Sequence, residues 1–355
     1  MRKIKERILR SPQPGMPLYL LRIALVLLAL LLSSACSSNT SPRSTQHTPP
    51  PQITPAASAM LPEQRIWKQG ISSFIFGTND TQEWYQNNVE TNPAIQQALK
   101  GAHFTLMRTF FFSKSLVDNH ATTDKEIEQR LKTIENSDMI CLGVLADIFD
   151  VSFAKHVVSY ASNRCNLYEF GNEPDTADIG ITDYLKQWNT VIPLLRQINP
   201  KASFIGPAAG VGSYLKEFLT GVKQSGVLPD AVSFHWYPCW HDTQADCLSK
   251  ANTVGPKVQT ARTWVKELLG KDLPIGVTEW NFDPGNPPAP YGNDTNFMNS
   301  FTTDALETMM QVGVDFACQF AAASGTVYLD MFDFRTSKPK TQYYTIKMLI
   351  QRYRI

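Results

Sequence analysis

Residues 166–175 read NLYEFGNEPD. The run from Leu167 to Phe170 is short and rich in apolar and aromatic side chains, the pattern of a buried strand. It stops at Gly171, and Glu173 stands directly before Pro174, where the proline ring disfavours helical backbone. A strand over 166–171 that delivers a glutamate at its C-terminal end is therefore expected. Residues 274–281, PIGVTEWN, repeat the arrangement, an apolar run over 274–278 leading into Glu279.

Working outward, six more runs of this kind occur, over 70–77, 104–111, 139–146, 202–206, 231–236 and 315–321. Amphipathic stretches follow them, at 91–100, 124–136, 151–162, 183–197, 213–223, 256–269, 296–311 and 341–352. In the fourth of these, Tyr184, Leu185, Trp188, Ile192 and Leu195 trace one helix face. Eight strands each followed by a helix imply an α/β chain, a (β/α)8 TIM barrel with a single catalytic domain. Catalytic residues of such barrels sit at the C-terminal ends of the strands. Glu173 and Glu279 would then face each other across one barrel mouth, and a carboxyl pair there suits glycosidic-bond cleavage.

The chain has 355 residues, 43% hydrophobic and 18% charged, enough apolar material for a large core. Its 33 basic and 32 acidic side chains leave a net charge of +1, which gives no electrostatic case for a nucleic-acid partner. Residues 1–36 read as an export signal: Arg2, Lys3, Lys5, Arg7, Arg10 and Arg22 precede an apolar run over 23–32 that is short for a membrane span. The closing Ser33-Ser34-Ala35-Cys36 resembles a bacterial lipobox, which implies lipid attachment at Cys36 and anchoring on the outer face of the membrane. Ordinary secretory cleavage and an uncleaved anchor are the alternatives. Residues 37–61, with TPPPQITPAAS at 48–58, suit an extended tether, and residues 62–355 make up the barrel. No nucleophile elbow, phosphate-binding loop or dinucleotide fingerprint is present, so no cofactor is expected.

YEFGNEPD at 168–175 resembles the acid/base motif of clan A glycoside hydrolases, whose fourth barrel strand ends in Asn-Glu-Pro. VTEWN at 277–281 resembles the nucleophile strand of that clan. The likeness extends to SFHWYP at 233–238, MRTF at 107–110 and the closing stretch KPKTQYYTIKMLI at 338–350. In wording the first motif is similar to heparanase-like enzymes and the second to β-xylosidase-like ones. The resemblance implies retaining hydrolysis of a β-linked oligo- or polysaccharide, with Glu173 as acid/base at a raised pKa and Glu279 as nucleophile. It further implies that Asn172 binds the sugar 2-hydroxyl, that Arg108 pairs with Glu279, and that Tyr237, or else His235, donates to Glu279. A silent carbohydrate-binding barrel and a transglycosylase are the competing readings.

Trp236, Trp240 and Trp280 are candidate sugar platforms or ordinary packing, with Trp280 chosen for the site. Tyr328 and Asp333 are further candidates for the cleft. Many clan members carry a Trp at the end of strand eight, where this chain reads FACQFAAASG over 316–325. Cys239 pairing with Cys247, and Cys141 with Cys165, is the disulfide set expected of an exported protein, with free buried thiols as the alternative. Cys318 remains as a buried thiol. Cys239, His241, Asp242 and Cys247 match no zinc spacing, so no metal is expected.

Overall fold

Eight parallel strands close into a barrel in sequence order, each strand paired with its chain neighbours and the first with the last. They are β1 (Gly77–Asn79), β2 (Leu106–Phe111), β3 (Ile140–Leu145), β4 (Leu167–Phe170), β5 (Ser203–Ala209), β6 (Ala231–Trp236), β7 (Ile275–Trp280) and β8 (Phe316–Gln319). The computed structural model describes residues 66–80, 88–114, 120–285, 288–325, 328–333 and 335–355. The signal, the tether and Cys36 lie outside the described residues. Among the described residues no helix is long and apolar enough to cross a membrane.

The barrel helices are α1 (Pro93–Ala102), α2 (Asp124–Asn136), α3 (Val151–Tyr160), α4 (Ile181–Ile198), α5 (Ser213–Ser225), α6 (Val254–Leu269), α7 (Thr295–Gln311) and α8 (Thr341–Tyr353). Their starts are written locally. Asn92 caps α1 through its side chain, with Pro93 at the first helical position. Thr123 and Glu126 form a capping box at α2, and Asp150 caps α3. The apolar faces pack against the outside of the strands and form the main core.

A second, separate apolar cluster fills the bottom of the barrel, from Phe74, Leu106, Leu142, Leu167, Ile205, Ala231, Phe316 and Cys318. It corrects the expectation of a strand over 70–77. Only Gly77 of that run belongs to β1; residues Lys68–Gly70 and Ser73–Ile75 form 3-10 turns, the second capped by Ser72. The turn aims Phe74 into the barrel floor, a role that apolar content alone does not distinguish from strand pairing. At Gly77 a Cβ would lie 2.5 Å from the Ala317 carbonyl oxygen, so the close approach of β1 and β8 requires glycine here.

The two expected disulfides form: Cys141–Cys165 between β3 and the entry to β4, and Cys239–Cys247 in the segment after β6. Cys318 is a buried free thiol.

Glu90 is buried 3.5 Å from Arg130. Burial, aided by Asp80 and opposed by the Arg130 guanidinium, pushes its carboxyl up to about 8. A carboxyl raised on folding adds stability that is fully present below its unfolded value of 4.5 and fades as pH rises toward about 8. Thermal melts of Glu90→Gln should therefore gain on the wild type between pH 5 and pH 8.5; a pH-independent difference would contradict this.

Candidate active site

Period-two alternation along the strands puts one set of side chains inside the barrel. On β2 that set is Leu106 at the floor and Arg108 above it; on β4 it is Leu167 and then Glu169. Arg108 and Glu169 are both fully buried. Arg108 Nε and Nη2 each lie 2.6 Å from Glu169 Oε2. Arg108 Nη1 donates to Asn79 Oδ1 at 2.9 Å and to Glu279 Oε1 at 2.6 Å, and Nη2 donates to Asn172 Oδ1 at 2.8 Å.

β7 departs from simple alternation. Thr278 donates to Glu169 Oε1 at 2.7 Å, and the next residue, Glu279, meets Arg108, so two successive side chains enter the barrel. The cause is a register shift against β6: Phe234 pairs with Val277, but His235 pairs with Glu279. The extra residue is a bulge, a device that re-aims a side chain at a strand end. The shift also sends Trp280 outward beside Trp236, into the main core.

Glu173 is placed by its backbone. Gly171 has φ +82° and Glu173 itself φ +44°. A non-glycine residue in the left-handed region costs about 1 kcal/mol or more. Its N–H donates to the Ala208 carbonyl at 3.0 Å, and its carbonyl accepts from Thr176 and Ala177. The Glu173 carboxylate accepts from His235 Nδ1 at 2.9 Å and from Thr176 Oγ1 at 3.3 Å. Tyr237 donates its hydroxyl to Glu279 Oε2 at 3.0 Å, and His235 Nδ1 lies 3.7 Å from the same oxygen. One oxygen of Glu173, one of Glu279 and a His235 nitrogen all lie within 4.8 Å of one another.

The sequence profile of the glycosyl hydrolases family 39 matches residues 151–326. That stretch, about half of the chain, is similar to the family 39 glycoside hydrolases. The chain is 25% identical over 150 residues to a β-xylosidase of Caldicellulosiruptor saccharolyticus, a match covering 39% of this chain and 30% of that enzyme. Among solved structures, the fold is similar to a monomeric β-xylosidase from Caulobacter crescentus CB15, with TM-score 0.60, 14% identity, and 78% of this chain and 68% of that chain covered. A glucosidase from Croceicoccus marinus gives TM-score 0.59 at 16% identity, covering 78% of this chain and 67% of that one. The likeness in sequence is thus to glycoside hydrolases, and the closed barrel is the fold shared with these solved structures.

The site is held by opposing electrostatic effects. Burial works against the Arg108 charge, but Glu169 and Glu279 outweigh it and push the guanidinium further up. Burial, reinforced by Glu279 and Glu173, holds the Tyr237 phenol well above its ordinary value, so it stays a neutral donor. His235 is opposed by burial, yet the Glu279 charge and the Glu173 hydrogen bond raise it. Burial raises the Glu173 carboxyl, but the hydrogen bond and charge of His235 prevail and the net direction is down. The direction is opposite to the raised Glu173 expected, and its cause is the contact with His235 between the β4 and β6 ends.

The other expected residues fall into two groups. Asn172, Arg108, His235 and Tyr237 join the two glutamates. Trp280, only 1% exposed, cannot offer a face to a sugar, and Trp236 stacks on Phe301 in the core. Asp333 closes a turn by accepting from the Arg335 and Thr336 amides. Tyr328 lines a cavity of about 260 Å³ with Asp330, Lys340 and Gln342. The strand-eight position without Trp holds Phe320, whose ring centroid lies 6.3 Å from that of Tyr237.

Glu169, Asn79 and Thr278 were not foreseen, although a charged residue inside the apolar run LYEF was a visible signal for Glu169. The three Glu173–His235–Glu279 ligand atoms are close enough for a cation, but their partners argue otherwise. Both Glu279 oxygens already accept hydrogen bonds, and the Arg108 guanidinium supplies the positive charge. Truncating one partner of a buried ion pair leaves the other uncompensated, so Glu169→Ala should lower unfolding stability by about 3 kcal/mol. Denaturant titration checks this, and a change below about 1 kcal/mol would show that Glu279 alone suffices to hold Arg108.

Proposed function

We propose that this chain cleaves β-linked glycosides with retention of configuration, with Glu279 as nucleophile and Glu173 as acid/base. The observation that carries the reading is the separation of the carboxyls. One oxygen of Glu173 lies within 4.8 Å of one oxygen of Glu279, which favours a retaining pair, whose carboxyl groups stand about 5–5.5 Å apart, over an inverting pair at about 6.5–9.5 Å.

In this reading Arg108 and Tyr237 each hold one oxygen of Glu279 and fix its rotamer toward the anomeric carbon. The proton for the leaving oxygen starts on the His235–Glu173 pair and passes to Glu173 Oε1 along the 2.9 Å hydrogen bond. Glu173 donates it as Glu279 bonds to the anomeric carbon and the glycosidic bond breaks. Glu173 then takes a proton from water, which displaces Glu279 and frees the sugar. Asn172 gives its oxygen to Arg108, which leaves its amide nitrogen as the donor for a sugar hydroxyl. The names of the relatives make β-xylosides the first substrates to test. Two disulfides support export into an oxidising compartment; the lipid anchor at Cys36 and a barrel domain over 62–355 complete the proposal. A transglycosylase would use the same two carboxylates, and product analysis separates the two activities.

The test is hydrolysis of a panel of 4-nitrophenyl β-glycosides, headed by the xyloside. Glu279→Ala and Glu173→Ala should each lose about 10³-fold or more in kcat, and azide should restore part of the Glu279→Ala turnover as an external nucleophile. Full activity in either variant would end the assignment. His235 is raised from 6.5, so the catalytic proton is retained above that pH. The alkaline limb of kcat/KM should lie above 6.5 and move to lower pH in His235→Gln, where only a carboxyl holds the proton.

A further inference from the structure

The closing stretch KPKTQYYTIKMLI buries a polar side chain among apolar ones: Gln342, in the first turn of α8, is only 1% exposed. It is the outer end of a buried amide network. Its Oε1 accepts from Gln319 Nε2 at 2.7 Å and from Asn281 Nδ2 at 3.3 Å, and its Nε2 donates to Asn281 Oδ1 at 3.4 Å. Gln319 Oε1 accepts from the Thr78 hydroxyl at 3.1 Å. Asn79, the next residue on β1, donates from Nδ2 to the carbonyls of Thr278, Cys318 and Gln319 at 3.2, 3.3 and 3.2 Å, and its Oδ1 accepts from Arg108. Thr78, Asn79, Asn281 and Gln319 are all fully buried.

Peptide groups set which way each amide points. A carbonyl oxygen can only accept, so Asn79 turns its nitrogen to β7 and β8 and its oxygen to the guanidinium. Gln319 Nε2 faces the Leu329 carbonyl at 3.0 Å. Asn281 Nδ2 faces the carbonyls of Phe320 and Leu329, while its Oδ1 accepts from the Phe282 N–H at 2.9 Å. Fully satisfied, a buried network of this kind rigidifies the elements it joins. That rigidity reaches Glu279 by three routes. Asn79 holds the carbonyl of Thr278, the residue before Glu279. Asn79 also holds Arg108, which grips Glu279 Oε1. Asn281 holds the carbonyl of Phe320, whose ring meets Tyr237 edge-on, and Tyr237 grips Glu279 Oε2.

We propose that this network positions the nucleophile, and that Gln342 is a positioning residue that couples the first turn of α8 to Glu279 through Gln319, Asn281 and Asn79. This rests on the glycosidase reading of the preceding subsection. The side chains of the network are buried away from any sugar, so their loss displaces Glu279 without removing a substrate contact. The effect belongs in kcat, with KM little changed.

The test measures kcat and KM for the full-length wild type, Gln342→Met, Asn79→Ala and the double variant, on the 4-nitrophenyl glycoside that the wild type cleaves fastest. The assay temperature is one at which circular dichroism shows every variant folded. The control is Leu349→Ala, which opens a cavity at an apolar core position of the same helix. Gln342→Met should lower kcat about ten-fold and Asn79→Ala about 10²-fold, with KM within about two-fold of wild type. The double variant should lose no more than Asn79→Ala alone, because the two residues act through one path. Leu349→Ala should melt earlier and keep the wild-type kcat. Should Asn79→Ala fail to fold, Gln342→Met against Leu349→Ala decides the matter. An unchanged kcat in Gln342→Met would overturn the proposal while leaving the glycosidase intact. An equal loss of kcat in Leu349→Ala would overturn it too, by showing that loosening α8 is enough, and so would losses that simply multiply in the double variant. A wild type that hydrolyses no glycoside would overturn both readings.

Discussion

Arg108 is a full positive charge buried inside the barrel, and the polar layer above the apolar floor is arranged around it. Glu169, Glu279, Asn79 and Asn172 all accept from its guanidinium. Burying an unpaired charge costs several kcal/mol, so the partners are conditions for the charge to exist there at all. Five donors in a rigid plane suit this better than a lysine ammonium, because one side chain fixes four others in defined directions. Two carboxylates around one guanidinium leave the layer with net negative charge, and His235 responds by binding a proton more tightly.

The second constraint is backbone geometry at the strand ends. Regular alternation would bring either Thr278 or Glu279 into the barrel, and the bulge between β6 and β7 brings both. Thr278 then braces Glu169 while Glu279 meets Arg108 and Tyr237. At β4, left-handed conformations at Gly171 and Glu173 turn the chain so that Glu173 returns to meet His235. The two carboxyls thus reach one point by different local irregularities. Each irregularity is held by hydrogen bonds to a neighbouring strand or to the segment that follows.

The loops carry the remaining specificity. The Cys239–Cys247 bond and the Asp242 contacts make the segment after β6 a fixed wall. Phe320, beside Tyr237, supplies an aromatic ring at the end of β8 where the sequence has no tryptophan.

Much of this was legible in the chain itself. The apolar runs and amphipathic stretches determined the barrel, because a strand buried on both faces and a helix covering it leave distinct periodicities. Two glutamates interrupting such runs at strand ends, with Arg108 in a third, marked the site, since charge inside an apolar run has few structural uses. What the sequence could not decide depended on contacts between distant strands. The run over 70–77 reads as a strand because apolar content is the same for a barrel plug and a paired edge. Trp280 reads as a site residue because a one-residue bulge, which decides inside from outside, leaves no periodic signature. The direction in which Glu173 is shifted escapes the sequence for a related reason. Its burial followed from the motif, but the histidine that outweighs burial stands 62 positions away, and only the closed barrel brings the two within a hydrogen bond.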